Sequence, residues 1–289
     1  MKIFIKNVIF FLISNFFSLN FKNKLLMQYS ESKNPKFKKN KFLFFLENSY
    51  LDYIDKQVYP KLSDPNKRIT IQKLCFGGED DGIQYAINES DHGNLKFINN
   101  DPKFKPIIEK ITNLSRENKN KKILIIQMGS SNGRKVQYLA KKFRSVEFLG
   151  IDIFESVINF CNKNNKLDNL SFLKVYAHNL HNIISKKKYD LCIVFSSGSF
   201  QYVQPEHLEI FFKNMCNLKN ISLIFCEGYY KQNLQNTFLF NKKSSYYNNF
   251  IFIHKYDEYA KDADFEILQM STDEKNNSCV FIAKKNDKN

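Results

Sequence analysis

The chain has 289 residues, of which 43% are hydrophobic and 15% aromatic. That amount of apolar material excludes an intrinsically disordered protein and allows one large domain, with or without an extension. The formal net charge is +15, but residues 1–45 hold nine lysines against one glutamate, so the rest of the chain is only moderately basic. Because the remaining basic residues follow no known docking motif, a nucleic-acid partner is disfavoured.

Residues 1–41 are an apolar and basic segment that ends in a polar linker. The apolar stretch between Lys6 and Lys22 is interrupted by Asn and Ser, and it is shorter than the roughly 20 residues that a membrane-spanning helix needs. This pattern favours a helix lying in a membrane interface, aided by the lysines of residues 33–41 on anionic lipid. A secretory signal and a helix packed on the protein or on a partner are the alternatives. We expect a cytoplasmic protein with peripheral contact to the inner face of a membrane.

Residues 42–120 are predicted to form a helical and loop extension that acts as a lid or cap over a substrate. Helical patterns cover 42–62 and 103–118, and the Gly/Asp-rich run 76–82 between them has loop character. The six cysteines are scattered and no histidine cluster has metal-ligand spacing, so no metal site is predicted.

From Lys121 onward, short apolar runs alternate with helical patterns, which predicts a parallel, doubly wound α/β sheet. The predicted strands are 123–126, 146–151, 170–175, 191–195, 221–226, 265–270 and 280–283, and the predicted helices are 132–143, 154–164, 205–215 and 256–263. The last two strands are expected to pair as a hairpin.

The loop between the first strand and its helix contains two glycines, in the run IIQMGSSNGR. Gly129 and Gly133 permit a tight turn and let backbone N–H groups approach a ligand closely. Ser131 and Asn132 are candidates to cap the helix that follows. The second strand ends at Asp152, where a carboxylate is positioned to accept both hydroxyls of a ribose. Together these features predict a site for a nucleoside.

The run KILIIQMGSSNGRKVQYLAKKF…VEFLGIDIFESVI resembles motifs I and II of the class I S-adenosylmethionine-dependent methyltransferases. The resemblance continues in YDLCIVFSSGSFQYVQPEHL and in FIHKYDEYAKDADFEILQM…CVFIAKK, and it covers about residues 121–284. It implies a Rossmann-like domain over 121–289, built on a mostly parallel seven-stranded sheet with a reversed last strand. It also implies that S-adenosylmethionine (SAM) is the cofactor.

The resemblance further implies which residues hold this cofactor, and they lie on the glycine loop and after the first four strands. These residues are Gln127, Gly129, Ser131, Gly133, Asp152, Ile153, Ala177, His178 and Ser196. Gly129, Ser131 and Gly133 would face the methionine part of the cofactor, and Asp152 would face its ribose. Ile153, Ala177 and His178 would lie beside the adenine. Ser196 and Ser197 would line the reaction pocket. The chain departs from the family where an acid is common, at Gln127 and at Tyr176 and Ala177, but a glutamine can still accept a hydrogen bond from the cofactor's amino group.

A general base is needed only for an acceptor whose proton must leave early. The candidate catalytic residues are Glu227, His178 and Tyr202, with His207 and His254 as further candidates. Glu227 ends the fifth strand, and ligands gather at the carboxyl ends of strands in open α/β sheets. His207 lies in the first turn of a helix and is expected to face solvent, and His254 is expected to cap a helix or to pack.

The sequence thus predicts methyl transfer from SAM to a small-molecule or glycan acceptor, on oxygen or nitrogen, with the acceptor pocket built by loops in 42–120 and 228–250. An NAD-linked oxidoreductase is one alternative, although it calls for a full GxGxxG and a second βαβ half, and neither is visible. A catalytically inactive, membrane-associated interaction protein with the same fold is the other.

Overall fold

A computed structural model of the chain describes residues 54–75, 101, 104–228, 238–248, 250–273 and 278–285. The predicted interface segment 1–41, most of the predicted helix 42–62 and the run 76–82 lie outside these residues. None of the described helices combines the length and the apolar character that crossing a bilayer requires. The described residues fall into two compact units, one made of 54–75 with residues 248 and 250, and one made of the rest.

The smaller unit is helical, and side chains of its helical elements contact Phe250. Its elements are a π-helix over Ile54–Val58, a 3-10 turn over Tyr59–Lys61 and helix α1 over Pro65–Cys75. The backbone N–H of Phe250 donates to Asp55 Oδ1 at 3.1 Å, and its carbonyl accepts from Gln72 Nε2 at 3.2 Å. Tyr59 packs edge-on against the Phe250 ring, with the centroids 4.9 Å apart. Buried polar groups of this unit are therefore paired with backbone, as burial requires.

The larger unit is built on a seven-stranded sheet, whose strands are β1 Ile123–Met128, β2 Glu147–Asp152, β3 Leu170–Lys174, β4 Leu191–Ser197, β5 Ile221–Gly228, β9 Phe265–Asp273 and β10 Ser278–Lys285. They lie in the order β3-β2-β1-β4-β5-β10-β9. β10 runs antiparallel to both of its neighbours, whereas the pairs from β3 to β5 are parallel. The reversed last strand and the doubly wound sheet are confirmed.

The central strand β1 is buried along its whole length, which explains its uninterrupted apolar run. Leu124 and Ile126 belong to one hydrophobic core and Ile123 and Ile125 to another, because successive side chains of a strand point to opposite faces. The sheet therefore separates two cores.

Helices cover both faces of this sheet. They are α2 Lys105–Glu117, α3 Arg134–Lys142, α4 Glu155–Asn164, α5 His181–Ile184, α6 Pro205–Met215 and α7 Tyr256–Asp262, with 3-10 turns at Ala177–Asn179 and Phe200–Tyr202. α2, α3 and α4 bury residues in the core that contains Ile125, and α5, α6 and α7 in the core that contains Ile126. α6 begins at Pro205, a residue whose fixed φ suits the first helical position.

A second, three-stranded sheet has its first two strands within 228–250, where the sequence predicted loops. It consists of β6 Phe238–Asn241, β7 Ser244–Asn248 and β8 Ile251–His254. The Oδ1 atom of Asn241 accepts from the backbone N–H of Lys243 at 2.8 Å, which stabilises the tight turn between β6 and β7. Strands this short show too few alternations for a reliable pattern, so the loop prediction for this part of 228–250 was wrong.

Candidate active site

The loop between β1 and α3 makes the tight turn that its glycines predicted. Gly129, Ser131 and Gly133 have positive φ angles of 62°, 46° and 76°. Glycine adopts this backbone conformation without steric cost, whereas it strains Ser131. A Cβ atom at Gly129 would lie 2.2 Å from Oγ and 2.5 Å from Cβ of Ser199, so the chain that follows β4 approaches too closely for any side chain.

The far end of the same loop is packed against β3 and α4. A Cβ atom at Gly133 would lie 2.7 Å from the Phe172 ring and 2.9 Å from Nδ2 of Asn165. Gly133 occupies the N-cap position of α3 and no side chain caps this helix, so the cap predicted for Ser131 or Asn132 was wrong. The Oδ1 atom of Asn132 instead accepts from the backbone N–H of Arg134, the first helical residue, at 3.1 Å. The carbonyl of Asn132 also accepts from Nδ2 of Asn165 at 3.2 Å. The loop is thus fixed at both ends by groups of the neighbouring elements.

Asp152 joins the end of β2 to this loop. Its Oδ2 accepts from the backbone N–H of Ser131 at 3.1 Å, and its Oδ1 accepts from Ile153 N–H at 2.7 Å and Phe154 N–H at 3.3 Å. The predicted carboxylate and the predicted loop therefore lie together, with Ile153 half-buried beside them. Backbone N–H donors of this kind hold a carboxylate in one orientation.

Gln127 places an amide near the carboxyl end of β1, between Gly150 of β2 and Phe195 of β4. The residue is buried, and its Oε1 atom has no hydrogen-bond partner among the described residues. An unpaired buried acceptor costs about 1–3 kcal/mol, so such an atom points to a missing donor. Ser130 Oγ, in the adjoining loop, is buried without a partner in the same part of the structure.

The carboxyl ends of β4 and β5 are tied together by Glu227, which is fully buried. Its Oε1 accepts from Ser196 Oγ at 2.5 Å and from Ser199 N–H at 3.3 Å, and its Oε2 accepts from Gln201 N–H at 3.4 Å. Burial raises the pKa of the Glu227 carboxyl, although these hydrogen bonds oppose the rise. Ser196 is likewise fully buried, so the two predicted site residues form one network beneath the β4–α6 loop.

His178, Tyr202 and Ala177 lie on the turns that follow β3 and β4. The His178 ring lies between Tyr176, at a centroid distance of 5.8 Å, and His207, at 3.9 Å. Burial, and secondarily the charge of a neighbouring histidine, lowers the pKa of His178. Tyr202 is half-buried and burial raises the pKa of its hydroxyl, while Ala177 is buried.

Two further histidines are buried. His207 was predicted to face solvent, and this prediction was wrong: the residue is only 6% exposed, and its ring packs on His178. His254 packs as expected, with Nδ1 2.7 Å from Ser244 Oγ and Nε2 3.1 Å from the Val203 carbonyl. Since a carbonyl only accepts, Nε2 carries the proton and Nδ1 accepts from the Ser244 hydroxyl. Burial lowers the pKa of His254 to about 3.

Comparison with known proteins decides the family. A family model described as a methyltransferase domain matches residues 117–286. The chain belongs to the class I S-adenosylmethionine-dependent methyltransferases. SAM is therefore its cofactor and methyl transfer its reaction. No curated protein sequence matches this methyltransferase.

Solved methyltransferase structures resemble this chain at low sequence identity. The 1,6-didemethyltoxoflavin-N1-methyltransferase of Burkholderia thailandensis is 11% identical, with 78% of this chain and 92% of that chain covered and a TM-score of 0.50. A SAM-dependent methyltransferase of Clostridium acetobutylicum is 16% identical, with 69% and 98% covered and a TM-score of 0.48. The magnesium protoporphyrin IX methyltransferase of Synechocystis is 15% identical, with 63% and 82% covered and a TM-score of 0.44.

The residues of this methyltransferase fit the cofactor that its family implies. The sheet order reverses at β1, and the glycine loop and the β4–α6 loop both leave the sheet there, where ligands bind in open α/β folds. The unpaired Gln127 Oε1 suits an ammonium donor such as the amino group of a methionine part. Asp152 lies one strand away from Gln127, and its carboxylate accepts from the backbone N–H of Ser131 in the glycine loop.

Sequence reasoning missed the ammonium group of Lys135, which lies beside the glycine loop on the side of β4. Lys135, in the first turn of α3, has its Nζ 3.0 Å from Ser197 Oγ and 2.8 Å from Asp101 Oδ2. Lys135 Nζ also lies 5.4 Å from the centre of the Phe104 ring. Lysines are common in this chain, and no periodicity links residues so far apart in sequence, so only its place two residues after Gly133 could have drawn attention to Lys135.

Proposed function

We propose that this methyltransferase modifies a small-molecule or glycan acceptor on oxygen or nitrogen. SAM supplies a methyl group on a sulfonium, which is already an activated leaving group, so the protein's task is alignment and exclusion of water. The observation that carries the proposal is the assembly of the glycine loop, Gln127 and Asp152 at the point where the sheet order reverses. Gln127 Oε1 would accept from the cofactor's amino group and the Asp152 carboxylate would hold its ribose.

The adenine side of the site is assigned to Ile153, Ala177 and His178. All three are buried or half-buried and follow β2 and β3. Tyr176 stacks on His178, and the His207 ring is tilted by 31° from His178, so this side of the site offers aromatic rings for contact with a purine.

The candidate catalytic residues differ in what their protonation states allow. The lowered pKa of His178 keeps its ring neutral near pH 7, so it is the candidate that can accept a proton. The raised pKa of Tyr202 keeps its hydroxyl protonated, which suits a donor to the acceptor. Glu227 is fully buried and we assign it a positioning role: it holds Ser196 and the β4–α6 loop.

The proposal favours a small acceptor over a macromolecule. The didemethyltoxoflavin methyltransferase, which has this fold, carries its small substrate together with S-adenosylhomocysteine in the solved structure. In our chain residues 1–45 hold nine lysines against one glutamate, so the rest of the chain is only moderately basic and a nucleic-acid acceptor is disfavoured.

The acceptor can be sought with methyl-labelled SAM and fractionated cell extract. We expect label in a small-molecule or glycan fraction with wild-type protein and at least tenfold less with Asp152→Ala. Label that enters only protein or nucleic acid would refute the acceptor class. His178→Gln should lower the rate more at pH 6–8 than Tyr202→Phe does if the acceptor needs a base, and equal effects would remove His178 from that role.

We also propose that residues 1–41 bring the enzyme to the inner face of a membrane, in the cytoplasm. The support is the sequence pattern of that segment alone. Co-sedimentation with vesicles tests it: the full chain should pellet with anionic vesicles and less with neutral ones. A variant with Lys36, Lys38 and Lys39 changed to Glu should stay in solution, and equal pelleting of both proteins would contradict the proposal.

A further inference from the structure

Lys135 is a cation that links two loops of the active site. Its ammonium has three N–H donors, and Ser197 Oγ at 3.0 Å and Asp101 Oδ2 at 2.8 Å account for two of them. Among the described residues the third donor has no acceptor. The side chain is 28% exposed, so the ammonium is half-sheltered and still reachable by a ligand. Such a group can hold an anion by a charge-assisted hydrogen bond.

The position of this ammonium is set by the two segments that border the cofactor crevice. Lys135 follows Gly133 by two residues, and Ser197 ends β4 next to Gly198. A Cβ atom added at Gly198 would have no atom of the described residues within 4 Å, so there is open space at this point. The next residue, Ser199, has its Oγ 3.5 Å from the Gly129 carbonyl oxygen, so the β4–α6 loop contacts the glycine loop there. Lys135 therefore lies beside the junction of the glycine loop and the β4–α6 loop, next to the open space at Gly198.

The order of the strands determines which end of a bound ligand lies on which side of this crevice. β2 and β4 flank β1 on opposite sides, so Asp152 marks one side of the crevice and Ser197 with Lys135 the other. Gln127 of β1 lies between them. A ribose held by Asp152 and an amino group held by Gln127 direct the amino-acid end of the cofactor toward β4. The anionic group of that end is its carboxylate.

We propose that Lys135 binds the carboxylate of the methionine part of SAM with its third N–H, beside the contacts to Asp101 and Ser197. The proposal rests on the SAM-dependent function of the chain and adds a binding residue to it. Asp101 neutralises the ammonium when no carboxylate is bound, which is why a half-buried cation is tolerated there. Lysine acts here as a point charge, so arginine can replace it in part.

Two ligands that differ in this carboxylate provide the test. S-adenosylhomocysteine carries the amino-acid end, and 5′-methylthioadenosine keeps the nucleoside and lacks both the amino group and the carboxylate. Their dissociation constants are measured by isothermal titration on the full-length chain. Lys135→Met should weaken S-adenosylhomocysteine about tenfold, the size of one charge-assisted hydrogen bond, and leave methylthioadenosine within twofold of wild type. Lys135→Arg should keep most of the affinity for both.

Lys142→Met is the matched control, because Lys142 lies in the last turn of the same helix and contacts Thr112 Oγ1 at 3.4 Å on the surface. It should change neither constant. Lys135→Gln removes the charge and keeps a donor toward Ser197, so it should show the same selective loss if Lys135→Met does not fold. Equal weakening of both ligands would show that Lys135 only holds the loops, and unchanged binding of both would show no contact; either result overturns the proposal. A wild-type chain that binds neither ligand would refute the cofactor site itself.

Discussion

The close approach of Ser199 to Gly129 makes Gly129→Ala the most informative single substitution. Two costs add at this position. The φ angle of 62° strains an alanine by about 1–2 kcal/mol. The new Cβ would also lie 2.5 Å from Ser199 Cβ, which rotation of the serine side chain cannot relieve, and overpacking of this kind costs about 1–3 kcal/mol. We expect Gly129→Ala to lower the free energy of unfolding by about 3 kcal/mol.

Gly198→Ala is the matched control for the backbone term. Its φ of 79° is equally unfavourable for alanine, but a Cβ there meets no described atom within 4 Å. Gly198→Ala should therefore lower the free energy of unfolding only by the backbone strain, about 1–2 kcal/mol. Ser199→Gly removes both serine atoms that the new Cβ would meet, so the double variant Gly129→Ala/Ser199→Gly should recover the steric part.

Urea unfolding followed by circular dichroism measures all four variants and the wild type. The double-mutant cycle should give a coupling energy of about 1–3 kcal/mol between positions 129 and 199. A coupling near zero, or equal losses for Gly129→Ala and Gly198→Ala, would refute the packing of the β4–α6 loop against the glycine loop.

Three further predictions concern His254, Gln127 and Asp152. The pKa of His254 is about 3 in the folded protein, so between about pH 3 and 6.5 the unfolded chain binds one more proton than the folded one. The free energy of unfolding should therefore rise with pH across that window, by up to about 5 kcal/mol. His254→Gln should flatten this pH dependence in urea unfolding measured at several pH values, and an unchanged pH dependence would contradict the prediction. Gln127→Met removes an unpaired buried acceptor, so it should keep or raise thermal stability while weakening SAM binding about tenfold; lower stability with unchanged affinity would contradict it. Asp152→Asn should weaken S-adenosylhomocysteine tenfold or more in titration, whereas Glu155→Gln, which breaks only a surface ion pair with Lys174, should not; equal effects would remove Asp152 from the site.

Most of the sheet and its helices were predictable because the pattern of burial is simple. A strand buried on both faces, such as β1, must be apolar throughout, and α6 carries its start signal in Pro205. The turn at Gly129 was predictable too, since an αL backbone demands glycine. The small sheet of β6, β7 and β8 was missed because four- and five-residue strands show hardly any period.

The site was predictable only where residues are close in sequence. The proximity of the Asp152 carboxylate to the glycine loop could be predicted because β1 and β2 are neighbours and end at the same edge of the sheet, and its role toward the cofactor stays a prediction. The burial of His207 had a signal, since it lies four residues before the buried Phe211 and so shares a helix face with it. No signal in the sequence predicted the contact between Asp101 and Lys135, because the two residues lie far apart in the chain and no local pattern encodes how their segments pack.

The central claim is that the crevice formed by the glycine loop, Gln127 and Asp152 holds SAM. Titration of S-adenosylhomocysteine into the full-length chain tests it most directly, with Asp152→Ala measured alongside. We predict one ligand bound per chain with a dissociation constant in the micromolar range, and a loss of at least tenfold in the variant. No binding heat at millimolar ligand, or equal binding by both proteins, would contradict the account.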